Sequence, residues 1–388
     1  MPIKNLRKAA LRIKKAIKNQ ERIILYGDSD LDGASAVLIL KEAIELSGGQ
    51  VAVNYFPNRS KEGYGLNLNA LKNLKSKSPA LLILLDCGIT NFKEIKMAKK
   101  EGFDVMIIDH HVVLGKLPPA NIVVNPKQSG DRHDFKQLAT AGLALNFAFE
   151  LLGKNSQEIT ERNFFEIAAL ATIADMMPQI KDNKLIIEKG LSGLKRTTRI
   201  GLKAFFKLDK KLEKMSFGEV AQKMVAILNA SEVKNHINMA YSLLAAQDEK
   251  TAYILAKDLT AKKVKKQLMI KKITNEVEEL ISKKPNELII FEGKNGWSHI
   301  LLGAVASRIC NKFKKPVFLV QRDFNKNEGI ALGAIRAPQG MDVVKAMRSC
   351  ARLLRGFGGH PVAAGFNLEL KNVEAFKNGL IKYFSKIE

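Results

Sequence analysis

Three apolar runs in the first third of the chain each stop at an acid. Arg22 to Tyr26 leads into Asp28, Asp30 and Asp32. Ala80 to Leu85 ends in Asp86, and Phe103 to Ile108 ends in Asp109-His110-His111. Short aliphatic runs without polar alternation read as strands buried on both faces. Val51 to Phe56 and Ile122 to Asn125 read as two more. Helical spacing fills the gaps at Ala34 to Leu46 and Asn91 to Glu101. Strands alternating with helices predict a doubly wound parallel α/β sheet. Ligands of such sheets bind beyond the carboxyl ends of the strands, which is where all of these acids lie.

Asp28, Asp30 and Asp32 alternate. On extended backbone their side chains would point the same way and repel one another unless a cation sat between them. Gly33 is expected to let the chain turn sharply after them. The pattern also opens a calcium-binding EF-hand loop, but position twelve would then be Ile39 where glutamate is needed, and an apparent strand precedes it. Asp175 lies in the apolar stretch ALATIADMM, ahead of Pro178. It is either a solvent-facing turn residue or, if buried, paired or metal-bound. Carboxylates and imidazoles without thiolates suit Mn2+ or Mg2+, and the histidine favours Mn2+.

The middle of the chain reads as helical, with Ala139 to Leu152, Glu161 to Ala174 and shorter helices over Leu185 to Ala245. Thr251 to Ser282 reads as one long charged helix, closed by Lys283-Lys284-Pro285-Asn286. A smaller α/β unit follows. Its expected strands are Glu287 to Phe291, Val317 to Gln321 and Gly329 to Arg336, and its helices Leu302 to Phe313 and Asp342 to Leu354. Gly356-Phe357-Gly358-Gly359-His360-Pro361 reads as a glycine-rich turn whose N–H groups would face an anion. Arg336 ends a strand and is placed to face the same cleft. The expected organisation is 1–250, a connecting helix 251–284 and a second domain 285–388.

The net charge of +24 leaves two readings open, a solvated lysine surface or a polyanionic partner. Lysines group at Lys203 to Lys214 and Lys257 to Lys272. Three widely spaced cysteines point to a reducing, cytoplasmic compartment and to neither a disulfide framework nor a zinc site. No apolar run is long enough to span a membrane. The basic amphipathic N-terminus reads as a surface helix. His133, His236 and His299 read as surface or structural residues. Trp297 could stack on a base or pack between domains, and Tyr64, on a glycine loop, is the better stacking candidate.

GDSDLDGA, LLDCGIT, IIDHHV and IADMMP, in this order, resemble the four motifs of the DHH phosphoesterases. EGYGL, LPPANIVVNP, GLKRTTRIGLKAF and GFGGHPVAAGF resemble the RecJ exonuclease branch, the last within its DHH-associated domain. The two-domain form and lysine-rich composition look like archaeal RecJ-like proteins. The resemblance implies a two-metal site of Asp28, Asp30, Asp32, Asp86, His110 and Asp175. In it Asp30 serves one metal and Asp32 the other, Asp86 bridges them, and His110 and Asp175 join the Asp32 metal. His111 would face the scissile phosphate and Asp109 would orient the histidines. Arg336 and the Gly358-Gly359-His360 turn would hold the nucleic-acid strand.

The implied activity is two-metal hydrolysis of single-stranded nucleic acid, DNA favoured, as an exonuclease of replication or repair. GINS and the replicative helicase are the protein partners the resemblance implies. Two alternatives follow: a helicase scaffold with little activity, which intact acids argue against, and a phosphodiesterase for short oligonucleotides or cyclic dinucleotides. Two departures stand out. Tyr26 occupies a position where some relatives have histidine. Ile227-Leu228-Asn229-Ala230-Ser231-Glu232 lacks the arginine of the family's INAAGR stretch, which leaves the direction of digestion open.

Overall fold

The computed structural model describes residues 2–113, 115–153, 157–284, 287–322 and 329–386. The expected helix stop at Pro285-Asn286 lies outside them. Internal contacts divide the chain into two units, Met1–Lys263 and Val264–Glu388, and the division falls inside the helix Glu249–Ser282.

The first unit is built on β1 (Ile23–Gly27), β2 (Val51–Tyr55), β3 (Ala80–Leu85), β4 (Phe103–Ile108) and β5 (Ile122–Val124). All pairings are parallel, in the order β2-β1-β3-β4-β5. The chain leaves β1 to one side for β2 and returns to the other for β3. Strand order therefore reverses at β1, which opens a crevice at the carboxyl ends of β1 and β3. The central strands β1 and β3 carry no charged or amide side chain because both faces are covered, whereas β2 carries Asn54 and β4 carries Asp104. Ile23, Leu25, Leu81, Ile83 and Leu85 share a core with Ile13, Val37 and Phe147. Ile24, Tyr26, Leu82 and Leu84 share another with Leu71, Leu74 and Ile95. Each such side chain contributes about 1.5–3 kcal/mol on burial. The basic N-terminus forms the helix Leu6–Lys18, which buries Ala9, Ala10, Ile13 and Ala16.

The helix Thr140–Leu152 enters next, then Gln157–Ala174. The second stops where the Met176 and Met177 N–H groups turn back to the Ile173 and Thr172 carbonyls. A two-residue turn with Asn235 and His236 at positive φ joins β6 (Val233–Lys234) to β7 (Ile237–Asn238).

The second unit carries a mixed sheet in the order β11-β12-β10-β9-β8. Its strands are β8 (Ile290–Lys294), β9 (Val317–Gln321), β10 (Ile330–Arg336), β11 (Leu354–His360) and β12 (Ala363–Glu369). Only β8 and β9 pair in parallel. Three expectations change here. The first strand starts at Ile290, three residues late. The helix expected over Asp342 to Leu354 is Val343–Ser349 followed by a 3-10 turn. The Gly356–His360 segment is a strand, because all five of its residues pair with β12 and the reversal falls at Pro361-Val362. Trp297 is buried in this unit's core, and its indole N–H donates to Glu276 Oε2 at 2.9 Å, so it does not offer a stacking face.

Candidate metal centre

The carboxyl ends of β1, β3 and β4 deliver the acids, but the first three do not share one extended run: Asp30 is still extended, and Asp32 is already helical. The helix Leu31–Leu46 starts at once, so Asp30 becomes its N-cap and Asp32 sits in its first turn. Asp30 Oδ1 accepts from Gly33 N at 3.1 Å. Gly33 serves close packing and makes no turn: a Cβ there would lie 2.4 Å from the Asp28 carbonyl oxygen. The three aspartates converge through a strand end and a helix start.

A second helix start fixes Asp32. Its oxygens accept from the backbone N–H groups of Thr140 and Ala141 at 2.7 and 2.8 Å, the first turn of Thr140–Leu152. The Thr140 hydroxyl donates to Asp86 Oδ1 at 2.9 Å. Asp86 itself has φ 62, an uncommon left-handed conformation for a residue other than glycine.

These placements bring Asp32, Asp86, His110 and Asp175 together. His110 Nε2 lies 3.4 Å from Asp86 Oδ1, 3.4 Å from Asp175 Oδ2 and 4.0 Å from Asp32 Oδ2. Such spacings are long for hydrogen bonds but suit donor atoms arranged about an ion held at ~2.1 Å. Three sets of donor atoms lie within 4.8 Å of one another: Asp32-His110-Asp175, Asp86-His110-His111 and Asp28-Asp30-Asp86. Asp175 Oδ2 is buried and has no hydrogen-bond partner among the described residues.

The electrostatics ask for a cation. Burial, with the charges of Asp175 and Asp30, pushes the Asp32 carboxyl up to about 8. Burial, with Asp32 and Asp30, raises Asp86 well above the usual carboxylate range. Burial and then Asp30 push Asp175 up to about 6. Burial, helped by His111, lowers His110 to about 3, which keeps it a neutral imidazole able to ligate. The donor set fits divalent ions of the manganese and magnesium type: oxygen and imidazole donors, no thiolate, and repulsion that two positive ions would relieve.

His111 stands apart. Its Nδ1 lies 2.8 Å from Asp109 Oδ1, and its N–H donates to the same oxygen at 3.0 Å. Burial pulls its pKa down, but the Asp109 carboxylate outweighs it and the net shift is upward. Asp109 accepts also from Ile89 N at 3.2 Å; burial pushes its pKa up, but the two hydrogen bonds and the charge of His111, with the charge of His110, together outweigh it and the net shift is downward. Tyr64 completes the group: its hydroxyl donates to the Asp86 carbonyl at 3.0 Å and lies 3.3 Å from His111 Nδ1. The loop carrying Tyr64 is held by Tyr26, whose hydroxyl donates to the Gly65 carbonyl at 2.8 Å. Tyr26 is therefore a buried strut for this loop.

Arg59 and Thr140 were not singled out from the sequence. Arg59 Nε donates to Asp28 Oδ1 at 2.8 Å, and its Nη2 contacts Asp28 Oδ2 and, at 3.0 Å, Asp30 Oδ2. Both oxygens of Asp28 are thus engaged by a guanidinium. The available signal was the lone arginine just ahead of the glycine loop, in NRSKEGYG.

In the second unit, Arg336, Ala363 and His360 pair across β10, β12 and β11, so they occupy one row of one face. The next row is Ala334, Gly365 and Gly358. Gly359 belongs to the opposite face. The helix His299–Phe313 borders this row: a Cβ on Gly303 would lie 3.2 Å from Arg336 Nη2. Above Gly358 there is open space, and the result is a shallow floor of small residues edged by Arg336 and His360.

Both parts have counterparts in known proteins. The DHH family, N-terminal domain, matches residues 22–172, and the DHHA1 domain matches residues 286–386. The chain belongs to the DHH family and joins its N-terminal domain to a DHHA1 domain. It is 35% identical over 384 residues to the single-stranded-DNA-specific exonuclease RecJ of Bacillus subtilis, covering 97% of this chain and 47% of that protein. The RecJ of Thermus thermophilus is 28% identical, covering 100% of this chain and 55% of that protein. The chain thus spans about half the length of these curated relatives. A crystal structure of exonuclease RecJ bound to manganese superposes with a TM-score of 0.81 at 28% identity, covering 99% of this chain and 95% of that one. Among the described residues, no helix is long and apolar enough to cross a membrane.

Proposed function

We propose that this chain is a metal-dependent exonuclease that hydrolyses phosphodiester bonds of single-stranded nucleic acid, with DNA as the favoured substrate. The observation that carries the reading is the convergence of Asp32, Asp86, Asp175 and His110 at the switch point of the sheet. Asp30, Asp32, Asp86, His110 and Asp175 would hold two divalent ions, Mn2+ favoured and Mg2+ possible. Bound there, such ions supply an activated water and stabilise the leaving oxygen of a phosphodiester. Asp28, clasped by Arg59, serves as orienter more than ligand. His111, tuned upward by Asp109 and open to solvent on one side, is suited to donate to a phosphate oxygen.

The glycine floor of the second unit supports strand binding. A Cβ would meet nothing within 4 Å at Gly358, and only ordinary contact at Gly365. Packing does not demand glycine at either position, although glycine weakens a strand by roughly 0.5–1 kcal/mol. An open face edged by a guanidinium and an imidazole suits a sugar-phosphate backbone. The lysine-rich surface adds the long-range attraction.

The test is digestion of single strands labelled at either end, with Mn2+ and with chelator. Processive loss of one label with Mn2+ alone supports the reading, and the label that survives gives the direction. Hydrolysis confined to dinucleotides would move the protein to the short-oligonucleotide phosphodiesterases. The association with GINS and the replicative helicase, and a cytoplasmic setting in keeping with three free buried cysteines, belong to the same proposal. Co-purification with those partners tests the first.

A further inference from the structure

The loop after β5 places a lysine beside the cluster and, among the described residues, gives its ammonium no partner. Asn125, fully buried, ties this loop to the site: its Nδ2 donates to the His111 carbonyl at 2.9 Å, and its Oδ1 accepts from Lys127 N at 2.8 Å. The Lys127 backbone is therefore linked through one side chain to the backbone of His111. A second tie holds the loop, Gln128 N to the Asn125 carbonyl at 3.1 Å.

The Lys127 side chain is half-buried, and burial lowers its pKa while the charges of Asp109 and Asp175 oppose that shift. Its charge is felt in turn by His110 and Asp175. Yet among the described residues its ammonium makes no hydrogen bond and no ion pair. An exposed lysine would be solvated, and a buried structural lysine would be paired. This one is partly desolvated, anchored at its backbone and left with three free donors at the edge of an acidic centre. Positive ions in that centre would repel it, so an anion is needed to hold it there.

We propose that Lys127 is a phosphate-binding residue of this centre, donating to a non-bridging oxygen of the phosphate on which the cluster acts. The inference rests on the nuclease reading and adds a side chain to it. Lys127 would balance the phosphate from the side of β4 and β5, opposite the Arg59 side at β1.

The test compares wild type with Lys127→Ala and Lys127→Arg. Thymidine monophosphate is titrated calorimetrically into the manganese-loaded proteins, a measurement that needs no turnover. Lys127→Ala should bind it roughly ten- to a hundredfold more weakly, the scale of one charge-assisted hydrogen bond, and Lys127→Arg should recover most of the loss. Mn2+ itself should bind Lys127→Ala as tightly as wild type or tighter, because a cation facing the ligands has gone. Melting temperature should not move. Equal nucleotide affinity in wild type and Lys127→Ala overturns the proposal. So does a joint loss of nucleotide affinity, metal affinity and melting temperature, which marks a structural strut. A wild type that binds thymidine monophosphate but digests no strand fails the nuclease reading and leaves the Lys127 assignment to be decided by the variants.

Discussion

The two candidate sites are built on opposite principles. The first crowds charge: Asp32 and Asp86 are buried, Asp175 and Asp30 stand beside them, and two helix starts and a hydroxyl fix their orientation. The second removes side chains: Gly358, Gly365, Ala363 and Ala334 leave a bare sheet face, with charge only at its margin. A centre that moves protons and holds ions needs many groups in one place, at a cost in electrostatic repulsion. A surface that accepts a polymer needs room, at a cost in strand stability. Damage to the first should therefore appear in chemistry, and damage to the second in how long substrates are held.

The largest effect is expected at the first site. Asp86→Asn should reduce hydrolysis by at least ~10³-fold, about 4 kcal/mol of barrier. The same change removes a buried, repelled carboxylate, so the metal-free protein should melt at a higher temperature than wild type. Strand hydrolysis at the wild-type rate would remove Asp86 from the centre.

At the second site, Gly358→Leu fills the open floor without a clash and should weaken long-strand binding by tens of fold at unchanged melting temperature. Gly359→Ala is the control on the opposite face. Its Cβ would lie 2.5 Å from the Ala363 carbonyl oxygen at φ 140, so it should cost ~1–3 kcal/mol of stability. If both variants behave alike, the floor is only part of the packing. His360→Ala should lower long-strand hydrolysis about tenfold, or ~1.4 kcal/mol, and spare a dinucleotide. Equal losses on both substrates with a lower melting temperature would make His360 structural.

The last effect concerns protons. Asp32 moves from 3.8 to about 8 on folding, so the folded chain holds a proton that the unfolded chain releases. The resulting stability is present below pH 3.8 and is lost as pH rises toward 8. Metal-free wild type should lose melting temperature over that window relative to Asp32→Asn. Added Mn2+ should reverse the difference, since metal displaces the proton. Parallel curves for the two metal-free proteins would mean that Asp32 titrates normally.

The same contrast explains what the sequence revealed. The parallel sheet was readable because uninterrupted apolar runs have few alternatives, and the acids stood out because charge at the end of such a run is expensive. The local backbone was not readable. The run from Asp28 to Asp32 reads as extended, which holds at Asp30 but not at Asp32, because the helix begins at Leu31 and alternation alone could not disclose that start. Arg59 was missed because an arginine in a polar loop is ordinary until Asp28 is placed against it. Gly356 to His360 looked like a turn because glycine usually marks one. Register with β12 makes it a strand, and only long-range pairing could have shown that.

That strand also ends the sheet. β11 is an outer strand, with a free row of backbone donors and acceptors of the kind that can template further strands from other molecules. It carries three glycines, its pairing slips between Leu354 and Gly356, and Arg355 ties across to Glu369 at 3.2 Å. A glycine-rich, irregular, charged border is a poor seed for aggregation. The side chains left out of this strand therefore serve solubility as well: a concentrated solution of the protein should resist stacking edge to edge, and bulky β-branched replacements along β11 should turn it toward fibres.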